Sequence, residues 1–173
     1  MNVGLLLLHG LVGSFVFAHG SQKLFGWFGG FGIRGTGAYM ESVGLRHGRV
    51  MAAAAGTSEV VGGALFGLGL VTPFAAAMIA GTMLVASRTD HRGKGFWIYA
   101  GGSEYVLTNT VIAIALAFNS AGAWSLDNAI GWNLAGLWWG IGAAAAAVVG
   151  SVGVLATFRR REETAVESAA SLS

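Results

Sequence analysis

Residues 50–87 form a long apolar run in which Glu59 is the only charged side chain. A carboxylate near the centre of a membrane helix costs about 2.5–3.5 kcal/mol on insertion scales, so such residues rarely face lipid. In steps of three and four, one helical face here carries mostly small residues, namely Ala52, Ala55, Gly56, Glu59, Gly62, Gly63, Phe66 and Gly67. A second helix can approach such a face closely. We therefore expect Glu59 to point into a helix bundle.

The composition indicates an integral membrane protein. Of the 173 residues, 54% are hydrophobic and only 10% are charged, and 29 are glycine. Soluble domains carry charge at about a quarter of their positions. The absence of cysteine excludes disulfides, thiolate chemistry and cysteine-bound zinc or iron–sulfur clusters.

Five apolar segments are predicted to cross the membrane, so the expected fold class is all-α, a polytopic transmembrane helix bundle. They are residues 3–21, 50–71, 74–87, 101–118 and 134–158. Residues 36–43 are expected to form a short helix on the membrane surface. Residues 159–173 read as a basic and polar tail that we expect to be disordered.

The basic residues predict the orientation of these five spans. All ten lie after the first, the third or the fifth span, and these three segments share one side of the membrane. The residues are Lys23, Arg34, Arg46, Arg49, Arg88, Arg92, Lys94 and Arg159 to Arg161. The positive-inside rule makes that side cytoplasmic, with the N-terminus outside and the C-terminus inside. Anionic lipid headgroups explain these charges better than nucleic acid does.

Two carboxylates are candidates for proton handling. Glu59 lies about ten residues from Arg49, hence about 15 Å deep, near the middle of the bilayer. It is interpreted either as a proton-accepting or ligand-binding group, or as a structural hydrogen-bonding partner of a neighbouring helix. Glu104 opens the fourth span in the stretch YAGGSEYV, where a catalytic role and a favourable interaction with the helix dipole are both open.

The end of the first span supplies further polar groups. His19 and Lys23 are four residues apart and share a face, so with Gln22 they are candidates to meet Glu59 or Glu104 across the bundle. The alternative is an interfacial histidine beside a lysine that extends to the headgroups. His9 is about 15 Å from His19 along the helix, so the two cannot share one metal ion, and a cytochrome with two histidine ligands is disfavoured. We predict no metal site.

Several stretches resemble the DoxX family of small bacterial membrane proteins. They are AHGSQKLFGWFGGFGIRGTGAYMESVGL at the end of the first span, EVVGGALFGLGLVTPFAA in the second, GGSEY opening the fourth, and WSLDNAIG. The resemblance implies a four-helix core over residues 1–133, to which residues 134–158 add a fifth transmembrane helix before the tail. It also implies a multi-pass protein of the bacterial inner membrane.

The family resemblance suggests the function. DoxX proteins are similar to the quinone-reducing membrane subunit of thiosulfate:quinone oxidoreductase, and some members are described in oxidoreductase complexes linked to thiol and oxidative stress. Carried onto this chain, the resemblance makes Glu59 and Glu104 candidate catalytic carboxylates and His19 and Lys23 candidate quinone contacts. No cofactor signature is visible, so a quinone is the one ligand suggested and a partner would have to donate electrons.

Two other functions remain open at this stage. One is a membrane scaffold that organises soluble redox or stress proteins and has no chemistry of its own. The other is a small-solute or proton-coupled carrier, for which a carboxylate at mid-membrane is also suitable. No inverted repeat or pair of broken helices supports the carrier.

Overall fold

The computed structural model describes residues 2–119 and 121–160, and within them every regular element is helical. The α-helices are α1 (Asn2–Phe25), α2 (Gly32–Ser42), α3 (Gly48–Gly67), α4 (Thr72–Arg88), α5 (Glu104–Ala117), α6 (Leu126–Ala129) and α7 (Leu137–Phe158). The all-α class is therefore confirmed. The tail predicted to be disordered falls mostly on residues 161–173, which lie outside the described residues.

Three of these helices are long and apolar enough to cross a membrane by themselves: Val3–Phe25, Gly48–Gly67 and Leu137–Phe158. The helices found in the other two predicted spans are shorter, with 17 residues in α4 and 14 in α5. At 1.5 Å per residue they measure roughly 26 and 21 Å, less than the ~30 Å of hydrocarbon. The count of five spans, and with it the division at residues 133 and 158, stays a prediction.

The small-residue face of α3 packs against α1. The sequence predicts that a second helix approaches this face closely, and the structure shows that this helix is α1. A Cβ atom added at Gly13 would lie 2.5 Å from the Cα of Gly67, and one added at Gly63 would lie 2.6 Å from the amide nitrogen of Phe17. These contacts are too short for any side chain, so only glycine permits this backbone approach. We call the contact the α1–α3 seam.

Helix α4 lies at the centre of the remaining packing and contacts α3, α5 and α7. Pro73 occupies the first turn of α4, the place expected from the sequence. The fully buried side chains around it include Phe66 of α3 and Ile79 of α4. α7 therefore joins the bundle mainly through α4, with a smaller contact to α5.

The three segments that carry the basic residues meet at one end of the bundle. The amide of Arg46 donates to the carbonyl of Phe158 at 2.6 Å, and that of Arg160 donates to Gly44 at 2.8 Å. Tyr39 of α2 donates a hydrogen bond to Asp90, in the loop after α4. These segments thus lie together, as the charge pattern requires, and the side of the membrane they face stays a prediction.

At the opposite end, Asp127 caps the start of α4 from a distant loop. Its carboxylate accepts hydrogen bonds from the amides of Val71 at 2.9 Å and Thr72 at 3.3 Å. Val71 has a left-handed backbone with φ of 44°, a conformation that is costly for a β-branched residue. The buried Asp127 carboxylate stabilises this turn and satisfies two amides that have no partner in the helix.

Candidate functional site

A buried ion pair joins α1 to α3. Lys23, in the last turn of α1, places its Nζ 2.5 Å from Oε1 of Glu59, near the middle of α3. The Glu59 side chain is 1% exposed and that of Lys23 is 15% exposed. The expectation that Glu59 points into the bundle is confirmed, and of the two carboxylates considered for Lys23 it is Glu59 that Lys23 contacts.

One oxygen of this carboxylate is unsatisfied. Oε2 of Glu59 is buried and has no hydrogen-bond partner in the structure. A buried polar atom left unpaired costs about 1–3 kcal/mol, and more when it belongs to a charged group. Such an atom is uncommon in a native fold and calls for an explanation, which a functional role can supply.

The seam determines the position of the ion pair. A Cβ at Gly20 would lie 2.7 Å from both the carbonyl of Gly56 and the amide of Val60, and 2.8 Å from Cβ of Glu59. Glycine at position 20 therefore brings the end of α1 directly over Glu59. Lys23 follows one turn later on the same helix, which carries its side chain to the carboxylate.

Beside the ion pair lies a cavity of about 940 Å³. Most of its lining is apolar or glycine and comes from α2, α3, α4 and α7, for example Met40, Ala55, Met78 and Val154. The ionisable and amide groups of the lining are His19, Gln22, Lys23, Glu59, Tyr39, Asp90, His91 and Tyr105, and the hydroxyls of Thr36, Ser58, Thr82, Thr89 and Ser151 complete its polar part. An apolar cavity with a few convergent polar groups is the usual form of a small-molecule site.

His19 and Gln22 form a hydrogen-bonded pair at the rim of this cavity. Nδ1 of His19 lies 3.0 Å from Oε1 of Gln22, whose Nε2 donates to the carbonyl of Phe28 at 3.1 Å. Because the amide oxygen of Gln22 can only accept, Nδ1 of His19 carries a proton in this arrangement, and in the neutral ring Nε2 of His19 is left as an acceptor. Three of the four predicted site residues, His19, Lys23 and Glu59, therefore line one cavity.

The fourth predicted residue, Glu104, lies outside this lining. It is the first residue of α5, and its Oε2 accepts a hydrogen bond from the amide of Ile98 at 3.0 Å. Its own amide donates to the carbonyl of Phe96 at 2.7 Å. Glu104 thus closes the turn that leads into α5, the arrangement expected for a carboxylate at a helix N-terminus.

Tyr39 and Asp90 line the cavity without having been singled out in the sequence. The hydrogen bond to Asp90, helped by partial burial, raises the pKa of Tyr39 to about 12. Burial alone would raise the pKa of Asp90, but hydrogen bonds from Tyr39 and from Lys94, at 3.1 Å, outweigh it and hold that pKa below its ordinary value. The two residues are 51 positions apart, so no local pattern signals their contact.

A second unmarked pair links α3 to α4. The hydroxyl oxygen of Thr82 lies 3.2 Å from that of Ser58 and 3.0 Å from the carbonyl oxygen of Met78, and its one proton can be donated to either. Ser58 precedes Glu59 on α3, so this pair places α4 at the level of the carboxylate. Hydroxyl residues within apolar helices are the available sequence signal, although most of them bond only to their own helix.

His9 belongs to a different part of the bundle. Its Nδ1 lies 2.8 Å from the carbonyl of Phe66, its ring packs against that of Phe66, and its buried Nε2 has no hydrogen-bond partner among the residues that the structure describes. Among residues 2–119 and 121–160, no three side chains of histidine, aspartate or glutamate come together as a metal site.

The sequence model of one family, DoxX, matches residues 4–92, which is more than half of the chain. The chain belongs to the DoxX family. Membership and the long apolar helices together identify it as a membrane protein. No curated protein and no solved structure matches it.

The match to DoxX covers the ion pair but not the whole cavity. It runs from α1 to the loop after α4, and so includes His19, Lys23, Glu59 and Asp90. α5, α6 and α7 follow the matched residues, together with GGSEY and WSLDNAIG, which the sequence comparison had counted in the resemblance. One wall of the cavity, on α7, is therefore built outside the matched DoxX region.

Proposed function

We propose that this DoxX-family chain is the quinone-binding membrane subunit of an oxidoreductase assembly. The observation that carries the proposal is the Lys23–Glu59 pair, with Oε2 of Glu59 unpaired, at the wall of a large apolar cavity. A quinone is a flat apolar ring with two carbonyl oxygens, so its binding site needs an apolar cavity and one or two hydrogen-bond donors.

Lys23 supplies the donor for the oxidised ring. Its ammonium has three N–H groups, and the structure uses one of them for Oε1 of Glu59. Another can donate to a ring carbonyl placed in the cavity, where the low dielectric strengthens the bond. His19 lies on the same rim, and its pairing with Gln22 fixes the ring tautomer.

Glu59 supplies the acceptor for the reduced ring. Reduction of a quinone consumes two electrons and two protons and replaces each carbonyl by a hydroxyl. A ring carbonyl cannot donate to Oε2 of Glu59, but a quinol hydroxyl can, so the quinol satisfies the unpaired oxygen. The electrons would come from a partner protein that carries a redox cofactor, and protons would enter by polar lining groups such as Tyr39 and Asp90.

The orientation forms part of the proposal. We place the basic end, with Tyr39 and Asp90, on the cytoplasmic side of the bacterial inner membrane, following the positive-inside rule. The ten basic residues support this orientation. Soluble redox proteins would then reach the polar end of the cavity from the cytoplasm.

Quinone binding to purified protein in nanodiscs tests the proposal. The informative variant is the neutral double substitution Lys23→Met with Glu59→Gln, because it leaves no unpaired charge in the bundle. We expect it to lose at least about tenfold in affinity for quinol, equal to about 1.4 kcal/mol, by fluorescence quenching or native mass spectrometry. Glu41→Gln is the matched control, since Glu41 is exposed and lies outside the cavity.

The rival functions give different results in the same experiment. A folded wild-type protein that binds neither redox form of the quinone contradicts the proposal and favours the scaffold. In that case changes at loop residues such as Arg46 would release co-purifying partners while Glu59→Gln would not. Solute uptake into vesicles that depends on Glu59 would favour the carrier.

A further inference from the structure

We infer that the site takes a quinone with a long isoprenoid tail, and that the tail leaves the cavity sideways, between α3 and α7 and over α4. This inference rests on the proposed function, and it names both the ligand class and its path. We call this path the α3–α7 groove, lined by Ala54, Ala55, Ala77, Gly81, Ala146 and Gly150.

The packing of the helices leaves the groove open. α4 packs against both α3 and α7 and so forms the floor between them. Ala54 on α3 and Ala146 and Gly150 on α7 line the cavity and are also exposed on the surface of the chain. Because α3 and α7 are long and apolar enough to cross a membrane, a gap between them would open the cavity to the lipid and not only to the aqueous end of the bundle.

Small residues keep the groove wide enough for a chain of methyl-branched units. A Cβ atom at Gly150 would meet no atom within 4 Å, and one at Gly81 would come no closer than 3.6 Å to its neighbour, the carbonyl of Ala147. This contrasts with the α1–α3 seam, where added Cβ atoms would collide with backbone at 2.5–2.7 Å. The glycines of the seam close a contact, whereas Gly150 borders open space and Gly81 leaves room for an ordinary contact with α7.

The groove starts at the level of the ion pair. Ser58, which directly precedes Glu59, also lines the cavity and is bonded to Thr82 on α4, next to Gly81. A ring held by Lys23 and Glu59 would therefore have its tail directed over Gly81 toward α7. The lining of the groove is apolar apart from these hydroxyls, which suits a hydrocarbon tail and offers nothing to a peptide backbone.

The volume argues for a ligand larger than the ring. Small-molecule sites span roughly 300–1,000 Å³ for drug-sized ligands. At about 940 Å³ this cavity is at the upper end of that range. A quinone ring alone would leave most of the space empty, and several isoprene units would fill it.

Closing the groove with one side chain tests the inference. In Gly150→Leu the new side chain projects into the groove, whereas in Gly153→Leu it lies one turn further along α7 on a surface that does not line the cavity. Both sites are exposed and have no atom within 4 Å of an added Cβ, so both variants are expected to fold. Full-length ubiquinone and its tail-less ring are the probes, measured in nanodiscs of one phospholipid.

We expect Gly150→Leu to weaken binding of the full-length ubiquinone by about tenfold or more and to leave the tail-less ring within about twofold. Gly153→Leu should change neither. Equal affinities of Gly150→Leu and wild type for the full-length probe, or equal losses for both probes, overturn the tail path and leave the head site standing. Wild-type protein that binds neither probe defeats the proposed function itself. Displacement of co-purified phospholipid by Gly150→Leu without any change in ubiquinone affinity assigns the groove to lipid and also overturns the inference.

Discussion

The Lys23–Glu59 pair makes a sharp prediction about stability because its two members are buried to different degrees. Removing one member of a buried ion pair costs about 3–5 kcal/mol, since it leaves the other charge uncompensated. In Glu59→Gln the charge left without a partner is the Lys23 ammonium, which is 15% exposed and lies at the end of a flexible side chain in the last turn of α1. We therefore expect a loss near the lower limit, about 3 kcal/mol.

Lys23→Met should cost more. The charge left without a partner is then the Glu59 carboxylate, which is 1% exposed and already has one oxygen without a hydrogen bond. Losing Lys23 leaves both oxygens unpaired, so we expect a loss near the upper limit, about 5 kcal/mol. The double variant, Lys23→Met with Glu59→Gln, buries no charge and should return to within about 1 kcal/mol of wild type.

The assay is equilibrium unfolding of the three variants and wild type in mixed micelles, followed by the fluorescence of the tryptophans. The coupling free energy of the cycle is the quantity to measure, since it isolates the pair from effects on single sites. The values above give a favourable coupling of several kcal/mol. Additive losses, with the double variant less stable than either single variant, would show that the two charges do not stabilise each other and would refute this account of the site.

Three further predictions concern the remaining contacts. Asp127→Ala should lower the free energy of unfolding by about 2 kcal/mol because the amides of Val71 and Thr72, part-buried and buried, lose their cap, and Asp127→Asn, which keeps one acceptor oxygen, should lose less. Gly13→Ala should cost about 1–3 kcal/mol in the same assay because its Cβ meets backbone at 2.5 Å, whereas Gly4→Ala, in open space, should be near neutral; equal losses would contradict the seam. The Tyr39–Asp90 bond should stabilise the fold between about pH 4 and pH 10, the ordinary pKa values of the two side chains. Its contribution to stability is lost in acid, as pH falls through the lowered pKa of Asp90, and in base, as pH rises through the pKa of Tyr39 at about 12. An ultraviolet titration should show a phenol that ionises near pH 12 in the wild type and is missing from Tyr39→Phe.

Much of the bundle was predictable from the sequence because apolar length and small-residue spacing are local signals. As helices, the apolar runs that form α1, α3 and α7 are about as long as the hydrocarbon is thick, or longer. On α3 the small residues that pack against the neighbouring helix recur every three or four positions around Glu59. The weakest expectation concerned α4 and α5, whose short lengths do not show by themselves whether a helix spans the membrane.

The site was predictable only in part because its contacts join distant parts of the chain. Burial of Glu59 follows from the cost of a charge in an apolar run, but the choice of Lys23 as its partner depends on the exact approach of α1, which glycine at position 20 permits. Tyr39 and Asp90 are not singled out by the sequence. Their contact depends on where α2 lies across the end of the bundle, which no pattern within either segment specifies.

The two faces of α3 explain why the unpaired oxygen of Glu59 persists. One face is closed against α1 by glycine contacts, so neither helix can shift to offer a new donor without separating the seam. The other face, beginning at Ser58, borders the cavity. Lys23 is already committed to the opposite oxygen, and the neighbouring hydroxyls bond to each other and to backbone. A hydrogen-bond donor that a ligand brings into the cavity can reach Oε2, so satisfying this oxygen would contribute to the binding free energy of a donor-bearing ligand.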